Sequence, residues 1–135
     1  MDCIFCKIIA GEIPAKKIYE DENILSFLDI SPVNYGHALV ITKKHYPDLL
    51  SADEATLTDL ILAIKKIAPA LIDSASASSF NLNLNNGEVA GQVVNHLHFH
   101  IIPRFADDGL KLWPGGSCDD ERLEQLVERV KQLLD

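Results

Sequence analysis

The chain has 135 residues, 47% of them hydrophobic, which is enough for one globular domain spanning residues 1–135 with its own core. Its 12 Lys and Arg against 20 Asp and Glu leave a net charge of -8. That balance argues against nucleic acid or an anionic membrane surface as partner, but a locally positive pocket can still take a small phosphorylated ligand. The 3 cysteines, an odd number, do not suit a disulfide framework. The start, Met1 to Lys7, lacks the pattern of a signal peptide, and no apolar run approaches the roughly 20 residues of a membrane span. A reducing, cytoplasmic location is expected.

In chain order, Ile24, Leu25 and Phe27 belong to a short strand ending at Asp29, followed by a Pro/Gly-punctuated turn from Ser31 to Gly36. Ala38 to Ile41 is a continuous apolar run, read as a central strand. Ser51 and Glu54 have the spacing of a capping box. The helix they open puts Leu57, Leu60, Ile61, Ile64, Ile67, Ala68, Leu71 and Ile72 on one stripe. Ser74 to Ser79 is a small-residue connector. Phe80, Leu82 and Leu84 then alternate with Asn81, Asn83 and Asn85, so a further strand carries an asparagine face. A last helix repeats the apolar stripe with Leu123, Leu126, Val127, Val130, Leu133 and Leu134. The pattern predicts an α+β fold: an antiparallel sheet with one long helix and a C-terminal helix packed on it.

Between these elements lies His96-Leu97-His98-Phe99-His100-Ile101-Ile102. Imidazoles alternating with apolar side chains have the period of a half-buried strand, with three histidines on one face. One such histidine is ordinarily structural; three in strict alternation point to chemistry. Same-face neighbours on a strand stand about 6.5–7 Å apart and the outer pair about 13 Å, so one zinc ion takes two of them and not three. At least one imidazole is left as a nucleophile or general base.

Other residues are ambiguous on their own. Cys3 and Cys6 have the spacing of half a zinc site, or of a buried or redox-active thiol pair; His45 and His96 are available to complete a tetrahedral set. An ion with four protein ligands would be structural. Cys118 has no evident partner. Asn85 to Gln92, bounded by Gly87 and Gly91, reads as a hairpin turn by itself and as a phosphate cradle beside three histidines. Asp29 caps backbone N–H groups or binds a ribose diol, the capping role being the ordinary one. His37 reads as structural and Arg104 as one half of a surface ion pair.

Taken together, these segments resemble the histidine triad family of nucleotide hydrolases and transferases, whose signature His-φ-His-φ-His-φ-φ is matched at every position by His96 to Ile102. Cys3 to Ile9, Glu12-Ile13-Pro14, Asp29 to Pro32, Gly36 to Ile41, Asn85-Asn86-Gly87 and Ala90-Gly91-Gln92 look like family segments in family order. The resemblance implies that His98 is the nucleophile forming a nucleotidyl-histidine intermediate. His100 would contact the phosphate and assist the leaving group, with His37 supporting from the neighbouring strand. It also implies that Asn85 and Gln92, with loop N–H groups, orient the phosphate and that Asp29 holds the ribose. Phe5, Ile8, Ile13, Phe27 and Ile30 would form the base slot, and Cys3, Cys6, His45 and His96 a structural zinc site.

No catalytic metal is expected. Val93 stands where relatives usually place Ser or Thr, so its backbone N–H remains for a phosphate and the hydroxyl does not. Trp113-Pro114-Gly115 is similar to the end of the Hint branch, although the spacing from the triad is longer. The expected reaction releases AMP, or another purine nucleotide, from a nucleoside phosphoramidate or phosphoanhydride. Alternatives are a dinucleoside polyphosphate hydrolase, a zinc hydrolase with an open metal position on His98 or His100, and a nucleotide-binding adaptor with vestigial catalysis. The resemblance further implies a homodimer whose two sheets join.

Overall fold

A computed structural model describes residues 2–135. The chain runs α1 (Ile4–Ile9), β1 (Lys17–Glu20), β2 (Ile24–Leu28), β3 (Ala38–Thr42), α2 (Glu54–Ala75), β4 (Ser79–Asn83), a single 3-10 turn at Glu88–Ala90, β5 (His98–Arg104) and α3 (Asp120–Leu134). The five strands form one sheet in the order β1-β2-β3-β5-β4, and every neighbouring pair is antiparallel.

The sheet is covered on both faces at its centre, which explains the near-continuous apolar runs of β2 and β3. On one face Ile24, Val40, Leu97 and Ile101 pack with Leu60, Ala63, Ile64, Ile67 and Ala68 of α2. On the other, Leu25, Phe27, Leu39 and Ile41 pack with Phe5 and Ile8 of α1. Each fully buried Leu or Ile of this kind contributes about 1.5–3 kcal/mol of transfer free energy. The single hydroxyl inside β2, on Ser26, donates to Leu39 O at 2.7 Å, so its burial leaves no lone polar group.

Three expectations change. The α2 cap is Asp53, whose carboxylate accepts the Thr56 N–H at 2.8 Å. Ser51 lies two residues too early to reach that turn and bonds with Asp48 instead. Within α2 the buried stripe is narrower than the sequence pattern, because Ile61 faces solvent. The C-terminal helix forms where expected, over Asp120–Leu134, but it is not packed on the sheet: none of its described residues is buried. The exposed stretch 109–119 carries it away from the core, and its apolar stripe has no partner among the described residues. Two elements went unread: α1, and the short edge strand β1, whose four residues carry little periodicity.

Candidate functional site

β5 starts at His98, not at His96, so the histidine run is split by a change of backbone. His98 and His100 sit opposite Ile41 and Leu39 of β3 and share the α1 face of the sheet. His96 lies in the bend before the strand, which frees its ring to turn toward the N-terminal cysteines, 3.4 Å from Cys3 Sγ.

Hydrogen bonds fix which nitrogen of each ring carries the proton, because a carbonyl can only accept. His98 Nδ1 is 2.6 Å from His96 O and must donate, which leaves a lone pair on Nε2. His37 Nδ1 accepts the Val33 N–H at 3.0 Å, so its proton is on Nε2. That Nε2–H donates to His100 Nδ1 at 2.9 Å and places the His100 proton on Nε2. Burial holds all three rings in the neutral form. It pushes the His98 pKa below 6.5 against the opposing pull of the His96 carbonyl. Burial likewise lowers that of His37, against Asp29. His100 falls to about 4, through burial first and then the neighbouring His98 and His37. Two neutral imidazoles 5.0 Å apart, one offering a lone pair and one a donor, can attack phosphorus and hydrogen-bond its oxygens.

Asp29, His37 and His100 also converge closely enough to suggest a metal site, with Asp29 Oδ2 3.6 Å from His37 Nε2. The Val33 N–H argues against it. A metal on His37 Nε2 would require an imidazolate, since Nδ1 is already an acceptor. The group is a hydrogen-bonded pair of neutral imidazoles with a carboxylate beside it.

His98 and His100 open into a cleft of about 430 Å³. Its apolar end is walled by Phe5, Ile8, Ile13 and Phe27, and Phe5 stands edge-on to His98 with ring centroids 5.1 Å apart. Asp29, Ile30, Asn85 and Val93 complete the rim, with Ile30 at 96% and Val93 at 90% exposure. Asp29 takes the capping role, one carboxylate oxygen accepting the Ser31 N–H at 2.8 Å, and the residue also lines the cleft. Gln92 does not face the cleft. Its side chain is buried, with Oε1 accepting from Gly87 N and Nε2 donating to Pro47 O and Val94 O. An amide saturated by three backbone groups braces the loop and has no donor left for a phosphate. Arg104 is also reassigned: its fork grips Asp108 within a half-buried network rather than a surface pair.

Behind His98, the donor atoms of Cys3, Cys6, His45 and His96 lie within 4.8 Å of one another. The separations are 3.4 Å for Cys3 Sγ to His96 Nδ1 and for Cys6 Sγ to His45 Nδ1, 3.7 Å for Cys6 Sγ to His96 Nδ1, and 3.2 Å between the two Nδ1 atoms. A tetrahedral zinc ion, with bonds of about 2.3 Å to sulfur and 2.0–2.1 Å to nitrogen, has edges of about 3.3–3.8 Å. The cluster therefore has the size of that polyhedron. His96 Nε2–H donates to Thr42 O at 2.6 Å, which aims a lone pair on Nδ1 at the centre, the usual support of a metal-bound imidazole. These four residues can hold a metal ion.

The contacts that the sequence did not disclose are made by backbone groups. The Val33 N–H and the carbonyls of Thr42 and His96 set the three tautomers, and no side-chain pattern announces them.

Fold and site together describe a histidine triad protein. The HIT domain model matches residues 10–107. An uncharacterized HIT-like protein of Methanocaldococcus jannaschii is 46% identical over 129 residues, 96% of this chain and 98% of that one. Adenosine 5'-monophosphoramidase of Schizosaccharomyces pombe is 39% identical, covering 99% of both chains. Adenylylsulfatase HINT3 of Arabidopsis thaliana is 41% identical, over 98% of this chain and 70% of that protein. Among solved structures, SMU.412c of Streptococcus mutans superposes with a TM-score of 0.94 at 44% identity, covering 99% of this chain and 86% of that one. A Zn-bound histidine triad protein of Mycobacterium smegmatis gives 0.78 at 38% identity, over 100% and 96%. The chain belongs to the HIT family.

Proposed function

We propose that the protein is a nucleotide hydrolase that releases AMP, or a related purine nucleotide, from a phosphoramidate or a phosphoanhydride. The observation that carries this reading is the His98 ring, locked by its Nδ1–H on the His96 carbonyl so that the Nε2 lone pair opens into the cleft. In the first step Nε2 bonds to the α-phosphorus and the bond to the leaving group breaks; the leaving group takes a proton from solvent, while the neutral His100 Nε2–H hydrogen-bonds the phosphate oxygens. The adduct is an imidazolium whose Nδ1–H already rests on a carbonyl, so its positive charge is met without rearrangement. In the second step water attacks phosphorus, its proton balances the one given to the leaving group, and Nε2 is released.

In this reading Phe5, Ile8, Ile13, Phe27 and Ile30 hold the base, Asp29 the ribose, and Asn85 with the Val93 N–H the phosphate. Gln92 acts only by bracing the loop. The phosphoramidase and adenylylsulfatase names of two relatives support an adenylyl group as the part recognised. Zinc would be held by Cys3, Cys6, His45 and His96, and with four protein ligands it supplies structure rather than catalysis; the Zn-bound relative supports that choice of metal. The free thiols of Cys3 and Cys6 fit a reducing cytoplasm. Among the described residues no helix is long and apolar enough to cross a membrane. A homodimer is supported by the edge position of β4, with Phe80 and Leu82 exposed, and by the uncovered stripe of α3.

The test is AMP release from an adenosine phosphoramidate, adenosine 5'-phosphosulfate and diadenosine polyphosphates by the wild type and His98→Ala. Turnover lost in the variant, with a covalent adduct trapped only in the wild type, is the expected result. Equal rates in both proteins, or none in either, would overturn it.

A further inference from the structure

The loop joining β2 to β3 carries both Asp29 and the N–H that sets the His37 tautomer, yet its apolar side chains do not anchor it. Val33 is 52% and Tyr35 72% exposed. At the base of the loop, Asp29 N donates to His37 O at 2.9 Å. At its tip, a turn is closed by His37 N to Asn34 O at 3.1 Å. Gly36, at φ +87°, lets that turn press on β5, since a Cβ there would meet Pro103 Cγ at 3.1 Å. The side chain that ties this turn to the body of the protein is Asn34. Its amide nitrogen donates to Pro103 O at 2.9 Å and to Asp108 Oδ2 at 3.0 Å, using both hydrogens.

Asp108 is a fixed anchor. Arg104 Nε and Nη2 grip its two oxygens at 2.8 and 3.1 Å, and Phe105 N and Leu110 N each donate to it at 3.0 Å. Arg104 is itself held by Asn81 Oδ1 of β4 at 2.8 Å and by Leu110 O at 3.0 Å. A chain of contacts thus runs from the far end of the sheet through Asp108 to Asn34, and one peptide unit further to the Val33 N–H on His37 Nδ1.

We propose that Asn34, anchored on Asp108 and the Pro103 carbonyl, is a positioning residue that holds His37 in its Nε2–H tautomer and so keeps the His100 proton facing the substrate. The inference rests on the hydrolase reading for its effect on rate, but not for its effect on the rings. If the Val33 N–H swings away, His37 Nδ1 is free to take the proton. Two lone pairs would then face each other across 2.9 Å unless His100 moved its own proton to Nδ1. The facing lone pairs repel, which drives the His100 proton to Nδ1, and that second arrangement removes the donor from the cleft.

The experiment is long-range ¹H–¹⁵N correlation of the histidine rings in the wild type, Asn34→Ala and Asn34→Asp, alongside kcat and AMP affinity. The aspartate variant keeps the side-chain size but sets a carboxylate against two acceptors. In both variants the His37 and His100 nitrogens are expected to shift toward the Nδ1–H form while those of His96 and His98 stay in place. The kcat should fall about tenfold with AMP affinity changed by less than about threefold, as for a misplaced group outside the base slot. Folded variants that retain the Nε2–H form at His37 would overturn the proposal, as would shifts spread equally over all four rings. Should the wild type turn over none of the substrates, the hydrolase reading fails while the ring tautomers still decide this inference.

Discussion

His100 offers a quantitative test of how far the site is dehydrated. Its pKa is lowered from 6.5 to about 4, burial being the largest cause. The native state therefore binds fewer protons than the unfolded chain over that interval, so the contribution to stability is present above pH 6.5 and is lost as pH falls toward 4. Linkage between those two values gives about 0.2 kcal/mol lost at pH 7, about 2 kcal/mol at pH 5, and about 3 kcal/mol once both states are protonated. The perturbation is His100→Gln, which removes the titration and keeps a hydrogen-bonding side chain. Urea unfolding followed by far-UV circular dichroism at pH 7 and pH 5 is the assay, because Trp113 is 91% exposed and reports poorly on folding. Other carboxylates and imidazoles titrate in both proteins and largely cancel in the difference. The wild type should lose about 2 kcal/mol more than the variant between the two pH values. A difference under about 0.5 kcal/mol would show that His100 is hydrated in the native state and refute the reasoning.

Two other perturbations test the metal cluster and the base slot. Elemental analysis should find about one zinc ion per chain in the wild type and close to none in Cys6→Ser, with a lower melting temperature in the variant; at a free ion concentration about a thousand times Kd, metal binding contributes about 4 kcal/mol. Undiminished metal content would remove Cys6 from the ligand set. Phe5→Ala, which opens the packing of Phe5 on Phe27 and His98, should cost about 3–5 kcal/mol in unfolding free energy and raise KM more than it lowers kcat. An unchanged KM would place the base elsewhere.

Much of the site was legible because its signals are local. Strict alternation from His96 to His100 needs no tertiary information to mark a face of imidazoles, although the distance argument that divided the three rings assumed one strand running through His96. The division itself follows from a local break: the strand begins at His98, and His96 turns back in the preceding bend. Gln92 was misread because an amide in a glycine-bounded loop looks like a phosphate ligand until its partners are known, and those are the backbone groups of Gly87, Pro47 and Val94. Asp53 displaced Ser51 as the cap because only the residue next to the first turn reaches its free N–H groups.

The sequence by itself determined the family, the α+β class, the imidazole face that lines the cleft and the four side chains able to hold a metal ion, since each rests on residue types and motifs in chain order. Tertiary structure alone decided the protonation of the rings. His37, His96 and His98 are each held by a backbone group, from Val33, Thr42 and His96, and a peptide N–H or carbonyl is the same at every position of the chain. It also decided that α3, amphipathic by pattern, finds nothing to cover it among the described residues. A periodic stripe states that a face seeks burial, and only the path of the connecting segment states against what.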